Sequence, residues 1–270
     1  MRLGIGSYTY GWAVGVPGSE PETPLTPDGL IQRAARLGVR VVQVCDNLPL
    51  DKLGEVALAS LANQAQREQV CIEVGTRGIA PQHLRTHLQL ARRLGSPILR
   101  TVIDAAQHRP ATHEVVRLLS EVLPEFEQSG VTLALENHDR FTARELADII
   151  MALGSQQVGI CLDTVNSFGA REGPEVVADT LAPFTVNLHV KDFTVRRVDH
   201  QMGFVVEGRP AGQGRLDVPW LLRKLSAAGR DPNAILELWT PPEEALGDTI
   251  AKERRWAEES VTYLRTLIPE

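Results

Sequence analysis

Cysteine, aromatic residues and an excess of basic charge are all scarce or missing in this sequence of 270 residues. The three cysteines lie far apart inside apolar runs and no CxxC pair occurs, which argues against a structural zinc site. Cys45, Cys71 and Cys161 are instead expected to be buried free thiols of a protein in the reducing cytoplasm. The formal net charge of −6 argues against nucleic acid or an anionic membrane as a partner, because both attract a basic surface.

Further absences narrow the class of protein. No run of about 20 apolar residues occurs, so no membrane-spanning helix is expected. The first ten residues, MRLGIGSYTY, lack the apolar core of a signal peptide and are typical of a strand, which favours a cytoplasmic protein. The stretch GIGSYTYG is not the glycine-rich phosphate turn of a dinucleotide-binding sheet, which disfavours an open doubly wound fold.

The sequence does contain an alternation of strand-like and helical segments along its whole length. Helical periodicity is clear at 51–69 and 112–129, where apolar residues recur every three or four positions. Short apolar runs predict eight strands, at 3–7, 41–45, 71–75, 98–103, 131–136, 158–163, 185–190 and 234–239. Continuously apolar strands are typical of a parallel sheet whose outer face is covered by helices. We therefore predict an α/β protein, a single (β/α)8 TIM barrel over residues 1–270, since such barrels commonly have about 250 residues.

Local signals support this organisation. Thr26 stands directly before a proline, as at the start of a helix, and Thr142 with Glu145 has the spacing of a capping box. Two longer segments, 10–25 and 193–216, follow strand ends and are predicted to be loop insertions. A barrel places its active-site loops at that face.

The last four predicted strands deliver charged or imidazole side chains at their C-terminal ends. Glu136 ends the fifth strand and Asp163 the sixth, while His189 interrupts the apolar seventh and Glu237 the eighth. Because these strand ends surround one axial space in a closed barrel, the side chains should face each other. Three carboxylates there would repel one another and would be costly to bury without a cation. Three oxygen ligands and one nitrogen suit Mn²⁺ or Mg²⁺, so we predict a divalent metal site.

Each of these residues alone also has an ordinary structural explanation. Asp163 could cap the helix that follows it, and His189 could be a hydrogen-bonded core histidine. Four such residues on four consecutive strands are harder to explain in this way, which favours the metal site.

Other residues near strand ends are candidates for substrate contact. Glu73 and Arg100 are either substrate contacts or a structural ion pair at the barrel mouth. Tyr8, with Tyr10 and Trp12, either forms an apolar wall for a ligand or packs the barrel bottom. The glycines of 203–214 suit a flexible lid. The remaining candidates are His138, Lys191 and Arg209.

A resemblance to a known family is carried by five stretches, LALENHDRF, ICLDTVNSFG, VNLHVKDF, PAGQGRLDVPWLL and ILELW. They are similar to the sugar phosphate isomerase/epimerase family of xylose isomerase-like barrels, and the resemblance covers essentially the whole chain. It implies that Glu136, Asp163, His189 and Glu237 bind one divalent ion, Mn²⁺ first, with Mg²⁺ or Co²⁺ as alternatives. In the ketose 3-epimerases of this family the two glutamates are also the catalytic acid–base pair, which implies that role for Glu136 and Glu237.

The sequence departs from the ketose epimerases in two places. Those enzymes carry a substrate-contacting histidine three residues after the aspartate of the sixth strand, where this chain has Asn166 as the candidate contact. They also carry an arginine soon after the histidine of the seventh strand, and Arg196 and Arg197 are not in clear register with it. A smaller branch of the family decarboxylates 3-oxoisoapionate, a branched 3-oxo sugar acid, and the opening GSYTY…WAVGVPG is similar to that branch.

The resemblance implies a metal-dependent isomerase or epimerase that acts on a small keto-sugar or sugar acid through a metal-stabilised enediolate. The alternative is a metal-dependent decarboxylase of a 3-oxo sugar acid, in which Lys191, Arg100 or Arg209 would hold the substrate carboxylate. A DNA-repair endonuclease is disfavoured by the acidic charge and by too few strand-end histidines for several zinc ions. A non-catalytic sugar-binding barrel would leave two opposed glutamates without a role. The expected partner is a small carbohydrate, and the sequence leaves open whether the chain forms a homo-oligomer.

Overall fold

Eight parallel strands close into a barrel in the computed structural model, which describes residues 1–269. Each strand pairs with its neighbours in the chain, and the last strand closes against the first. The predicted (β/α)8 barrel is confirmed, while its extent to residue 270 stays a prediction because Glu270 lies outside the described residues. The barrel strands are β1 (Leu3–Gly6), β2 (Val41–Val44), β3 (Cys71–Arg77), β4 (Ile98–Val102), β5 (Thr132–Glu136), β6 (Val158–Asp163), β7 (Thr185–Val190) and β10 (Asn233–Leu236).

Helices cover the outside of the barrel, and their ends follow the signals in the sequence. Thr26 accepts a hydrogen bond from the Gly29 amide at the start of α2, and Thr142 and Glu145 form the predicted capping box at the start of α6. The helices are α1 (Gly11–Val14), α2 (Pro27–Leu37), α3 (Glu55–Arg67), α4 (Pro81–Leu94), α5 (Thr112–Ser129), α6 (Ala143–Leu153), α7 (Pro174–Leu181), α8 (Val218–Ala227) and α9 (Leu246–Arg265). No helix within residues 1–269 is both long enough and apolar enough to cross a membrane.

The apolar core is a shell between the strands and the helices. Strand residues such as Val42 and Leu99 point outward into this shell and pack there with the buried faces of the helices. Because side chains alternate along a strand, the residues between them point into the barrel. A small apolar cluster of Ile98, Ala134 and Cys161 fills part of the inside. The inward positions nearer the C-terminal ends of the strands are polar, and they form the candidate site.

The segment predicted as a loop insertion at 193–216 contains an antiparallel hairpin instead. Its strands are β8 (Asp192–Arg197) and β9 (Phe204–Arg209), which pair along their full lengths. Phe193, Val195 and Val206 are aromatic or β-branched residues of the kind that favours strands, which explains why the segment is not an irregular loop. The other predicted insertion, 10–25, contains only the short helix α1 and a turn.

Asp192 holds the base of this hairpin to the barrel. The buried carboxylate accepts four backbone N–H bonds, from Phe193 and Leu216 at Oδ1 and from Gly212 and Gly214 at Oδ2, at 2.7 to 3.0 Å. A side chain at Gly214 would overlap this carboxylate. The aspartate of the HVKD stretch is therefore an organiser of the loop after β9.

We predict that Asp192→Asn lowers the free energy of unfolding by about 2–3 kcal/mol, because an amide group would turn N–H bonds toward two of the four backbone donors. The measurement is chemical denaturation. Asp199→Asn in the exposed hairpin turn is the matched control, because no hydrogen bond to the Asp199 carboxylate occurs within residues 1–269. The control should change stability by less than about 0.5 kcal/mol, and equal losses in the two variants would contradict the assigned role.

Candidate functional site

The barrel brings together the four residues predicted as metal ligands. Glu136 and Asp163 are the last residues of β5 and β6, His189 lies one residue before the end of β7, and Glu237 directly follows β10. All four side chains are buried. The Nδ1 atom of His189 lies 3.3 Å from Glu136 Oε2, 3.6 Å from Asp163 Oδ2 and 3.3 Å from Glu237 Oε1. One imidazole nitrogen thus faces three carboxylates, as the strand-end pattern predicted.

Gln43 on β2 determines which nitrogen of His189 faces the carboxylates. The Gln43 amide NH₂ donates to Glu73 Oε2 and to Asn187 Oδ1, at 3.0 and 2.9 Å, so its oxygen is left to accept. That oxygen lies 2.7 Å from His189 Nε2, which is therefore the protonated nitrogen. Nδ1 is then the nitrogen that faces the carboxylates. Burial acts to lower the pKa of His189, but Glu237 and Glu136 outweigh it and raise this pKa, and a cation among the carboxylates would keep Nδ1 unprotonated as a ligand. Gln43 was missed in the sequence, although it is a polar residue inside an apolar strand, as His189 is.

The donor atoms fit a divalent cation. Within residues 1–269, His189 Nδ1 and Glu237 Oε1 are buried and have no hydrogen-bond partner, and the only cation within ion-pair distance of Asp163 Oδ2 and Glu237 Oε2, apart from His189, is the Lys191 ammonium. Orphaned acceptors of this kind are costly, and a cation among them offsets the cost. Asp163 also caps the turn after β6, because its Oδ1 accepts from the amides of Val165 and Asn166 at 2.8 Å. Asp163 is not the cap of a helix, because the short helical turn Asn166–Ala170 begins after Val165 and has no side-chain cap. The aspartate uses one oxygen to hold the turn and leaves the other for a ligand role.

The two glutamates have different surroundings. Glu136 Oε2 pairs with the Arg100 guanidinium, and Glu136 Oε1 accepts a hydrogen bond of 2.7 Å from the Asn166 side chain. Burial acts to raise the pKa of Glu136, but Arg100 and then His189 hold this pKa below its usual value. Glu237 has the Lys191 ammonium 2.8 Å from its Oε2, while its Oε1 has no hydrogen-bond partner within residues 1–269. Glu136 is therefore held at both oxygens, whereas Glu237 keeps one oxygen available for a ligand.

Lys191 supplies a second fixed positive charge. Its ammonium nitrogen lies 2.8 Å from Asp163 Oδ2 and 2.8 Å from Glu237 Oε2, and its side chain is largely buried. Burial acts to lower the pKa of Lys191, but the two carboxylates outweigh it and raise this pKa well above its usual value. The lysine is a permanent cation beside the candidate ligands.

Arg100 connects the cluster to the first strands of the barrel. Its Nη1 lies 3.1 Å from Asp46 Oδ1 and donates to the Thr76 carbonyl at 3.1 Å. Asp46 Oδ2 accepts from the Tyr8 hydroxyl at 3.2 Å and from Arg77 Nε at 3.3 Å. Burial acts to raise the pKa of Asp46, but Arg100 and Arg77 hold it below its usual value. Asp46 is a site residue that the sequence analysis missed, since it follows a strand end and carries no motif.

A family model for the xylose isomerase-like TIM barrel matches residues 31–267 of the chain. A curated relative, 3-oxo-isoapionate decarboxylase from Pectobacterium atrosepticum, is 34% identical over 269 residues, which cover 100% of this chain and 97% of the relative. The chain belongs to the xylose isomerase-like TIM-barrel family. The resemblance drawn from the five sequence stretches is confirmed.

Solved structures of this family have the same fold at low identity. D-psicose 3-epimerase from Clostridium cellulolyticum H10, with D-tagatose, gives a TM-score of 0.73 at 17% identity and 99% coverage of both chains. A xylose isomerase-like TIM barrel protein from Mycobacterium smegmatis, in complex with magnesium, gives 0.69 at 16% identity and 97% coverage of both. These two show the fold, and together with the full-length relative they support a sugar-modifying enzyme.

A cavity of about 740 Å³ opens at the C-terminal face of this xylose isomerase-like barrel. Tyr8, Trp12 and Trp239 line this mouth cavity, together with Val206 and Gly208 of the hairpin. The four candidate ligands are not among its lining residues, but Leu238, next to Glu237, is. Tyr8 and Trp12 thus line the mouth cavity, whereas Tyr10 does not, and their contact with a ligand stays a prediction. The hairpin, rather than a flexible glycine lid, forms one side of the cavity.

Three predicted substrate contacts bind other protein groups in this xylose isomerase-like barrel. Glu73 does not pair with Arg100; its carboxylate accepts from the amides of Gln43, Asn187 and Asn233 inside the barrel. Arg209 lies on β9 and bonds the Gly208 carbonyl and Glu207. His138 lies 3.0 Å from Asp139 and 3.4 Å from Arg77. Their contact with a substrate stays a prediction.

We predict that Gln43→Met weakens the binding of Mn²⁺ by at least about tenfold, because His189 loses the acceptor that orients it. Isothermal titration with Mn²⁺ measures the affinity, and circular dichroism checks that the barrel is folded. Gln64→Met on α3 is the matched control, since within residues 1–269 this buried amide bonds only the Asp28 carbonyl, away from the site. Unchanged Mn²⁺ affinity in Gln43→Met would show that the glutamine does not position the histidine.

Proposed function

We propose that the protein is a divalent-metal-dependent decarboxylase of a 3-oxo sugar acid. The observation that carries this choice is the 34% identity to 3-oxo-isoapionate decarboxylase along essentially the whole length of both chains. The sequence alone favoured an isomerase or epimerase and kept the decarboxylase as the alternative. Two D-psicose 3-epimerases of known structure are 16% and 17% identical to this chain, so they support the barrel rather than its reaction.

The unequal surroundings of the glutamates also favour decarboxylation. Epimerisation by two glutamates needs one to take a proton and the other to return one at the opposite face. Glu136 is held at both oxygens by Arg100 and Asn166, so it is poorly placed to exchange protons. Asn166 stands where the ketose epimerases are expected to have a histidine. Decarboxylation requires only one proton donor, because loss of carbon dioxide needs no base.

The four candidate ligands Glu136, Asp163, His189 and Glu237 would hold the divalent ion. When bound, such an ion polarises a carbonyl group and stabilises negative charge as it develops. Mn²⁺ is our first choice, with Mg²⁺ or Co²⁺ as alternatives, because three carboxylates and one imidazole form a mostly hard donor set. Arg100 and Asn166 would keep Glu136 in position for this role.

Lys191 and Glu237 would serve the substrate. The Lys191 ammonium would hold the substrate carboxylate, since it is the cation nearest to the candidate ligands on the β7 side. When the bond between the carboxylate carbon and its neighbour breaks, its electron pair passes toward the 3-oxo group and carbon dioxide leaves. Glu237, whose Oε1 has no hydrogen-bond partner within residues 1–269, would then pass a proton from solvent to the carbon left behind. Tyr8, Trp12 and Trp239 offer neutral carbon dioxide an apolar exit.

Other expectations from the sequence remain proposals of the same kind. The substrate would be a small carbohydrate acid rather than nucleic acid, in keeping with the net charge of −6. A cytoplasmic location, no membrane partner and the open question of a homo-oligomer also stay as predicted from the sequence.

Reaction in deuterated water with 3-oxo-isoapionate and with neutral ketoses separates the two reactions. We expect one carbon dioxide for each sugar acid consumed, and one deuterium in the product, because the carbon that loses carbon dioxide must take up a solvent proton. A chelator should stop the reaction and Mn²⁺ should restore it. Deuterium at an epimerised ketose carbon without carbon dioxide would contradict the proposal and favour the epimerase.

Lys191→Met provides the matching variant for this experiment. Its rate of carbon dioxide release should fall by at least about 100-fold, because the substrate carboxylate loses its cation. Lys224→Met is the control, since this lysine forms only a surface ion pair with Asp179, and its rate should stay within about twofold of wild type. A neutral ketose would depend only modestly on Lys191. Near-wild-type decarboxylation by Lys191→Met would refute the role of this lysine.

A further inference from the structure

A second cavity lies outside the barrel, between α2 and α9. Its volume is about 620 Å³, and it shares no lining residue with the mouth cavity. The residues that line it are Tyr10, Arg33, Arg36, Leu37, Arg254 and Glu258. Three of these six carry a guanidinium group and one carries a carboxylate.

Arg33 is held in a way that leaves part of its guanidinium for a ligand. The guanidinium carbon lies 4.2 Å from the centre of the Tyr10 ring, and Tyr10 itself is buried. Stacking on a ring occupies a face of the guanidinium and leaves its edge N–H groups available. The Nη1 atom is buried and has no hydrogen-bond partner within residues 1–269. A buried donor without an acceptor is unfavourable, and an oxygen atom of a ligand would satisfy it.

The positive charges around this cavity are not paired. Within residues 1–269 no carboxylate lies within ion-pair distance of Arg33, Arg36 or Arg254, whereas Arg85, Arg140 and Arg196 are ion-paired. Glu258 lines the cavity but forms no ion pair in the same range of the chain. With three arginines and one glutamate, the lining of this cavity carries net positive charge in a chain whose net charge is −6.

Glu253, the other nearby carboxylate, is already engaged. Its two oxygens accept hydrogen bonds from the amides of Trp12 and Ala13, at 3.0 and 3.1 Å. Burial raises the pKa of Glu253 to about 7, so it carries only part of a negative charge near neutral pH. Burial lowers the pKa of Arg33; Tyr10 and Glu253 act to raise it, and Arg36 and Arg254 act to lower it. A bound anion would relieve both the repulsion and the missing hydrogen bond.

We infer that this cavity is a binding site for a small oxyanion of the phosphate class, held by the guanidinium edge of Arg33 with Arg36 and Arg254. A phosphate group suits it because its several oxygens can accept from more than one guanidinium fork at once. Inorganic phosphate and the phosphate group of a small metabolite both offer oxygens of this kind. The inference rests on the cavity-lining residues of α2 and α9 and on Tyr10, and it does not depend on the reaction proposed above.

Equilibrium titration of the wild-type protein with inorganic phosphate, at constant ionic strength, tests this inference. We expect saturable binding of one phosphate per chain. Arg33→Gln should weaken it by at least about tenfold, since the stacked guanidinium is the group with the unpaired buried donor. Arg67→Gln on α3 is the matched control, because this arginine is exposed and lies outside both cavities, and its affinity should stay within about twofold of wild type.

Further variants locate the anion and identify its source. Lys191→Met should leave phosphate affinity unchanged, because this lysine belongs to the mouth of the barrel. Arg254→Gln should also weaken binding, and its exposed side chain makes it the substitute if Arg33→Gln does not fold. Tighter binding of glycerol 3-phosphate than of phosphate would identify a metabolite, and equal affinity would identify the free ion. The inference is overturned if wild type binds no phosphate saturably, or if Arg33→Gln and Arg254→Gln bind it as wild type does.

Discussion

The repulsion among three carboxylates buried at one end of the barrel is the constraint on which the rest of the site depends. Glu136, Asp163 and Glu237 converge on one imidazole nitrogen, and water cannot screen them there. The barrel supplies two fixed cations close by, Arg100 and Lys191, which leaves one negative charge in excess among these five groups. A divalent ion offsets that excess and also satisfies acceptors that have no hydrogen-bond partner.

Hydrogen bonds among polar side chains inside the barrel hold this arrangement in place. Glu73 accepts hydrogen bonds from Gln43, Asn187 and Asn233, each on a different strand, and this fixes the direction of the Gln43 amide. The Gln43 oxygen in turn bonds Nε2 of His189 and leaves Nδ1 for the carboxylates. Glu73, which resembled a substrate contact in the sequence, therefore acts on the candidate ligand His189 through one intervening side chain, that of Gln43.

Much of the fold and the four candidate ligands could be predicted from the sequence, because both depend on short-range patterns. Apolar strands alternate with amphipathic helices, and Glu136, Asp163, His189 and Glu237 stand at corresponding strand ends. The partners of Arg100 could not be predicted in the same way. Arg100 on β4 pairs with Glu136 on the adjacent strand β5 and with Asp46 after β2, but not with Glu73 on the other adjacent strand, β3. The alternation of side chains along a strand shows which ones point into the barrel, but it does not show how far along the barrel axis each one lies. The hairpin at 192–209 was missed because its glycines and charges resemble those of a loop.

The central claim is that His189 and the three carboxylates form one metal site, with the imidazole bound through Nδ1. Crystals grown with Mn²⁺ and measured near its absorption edge locate the ion directly by anomalous scattering. We predict one strong peak per chain, enclosed by Glu136, Asp163, Glu237 and the Nδ1 atom of His189, with Nε2 still bonded to Gln43. A peak elsewhere, no peak at saturating Mn²⁺, or an ion on Nε2 would contradict the claim.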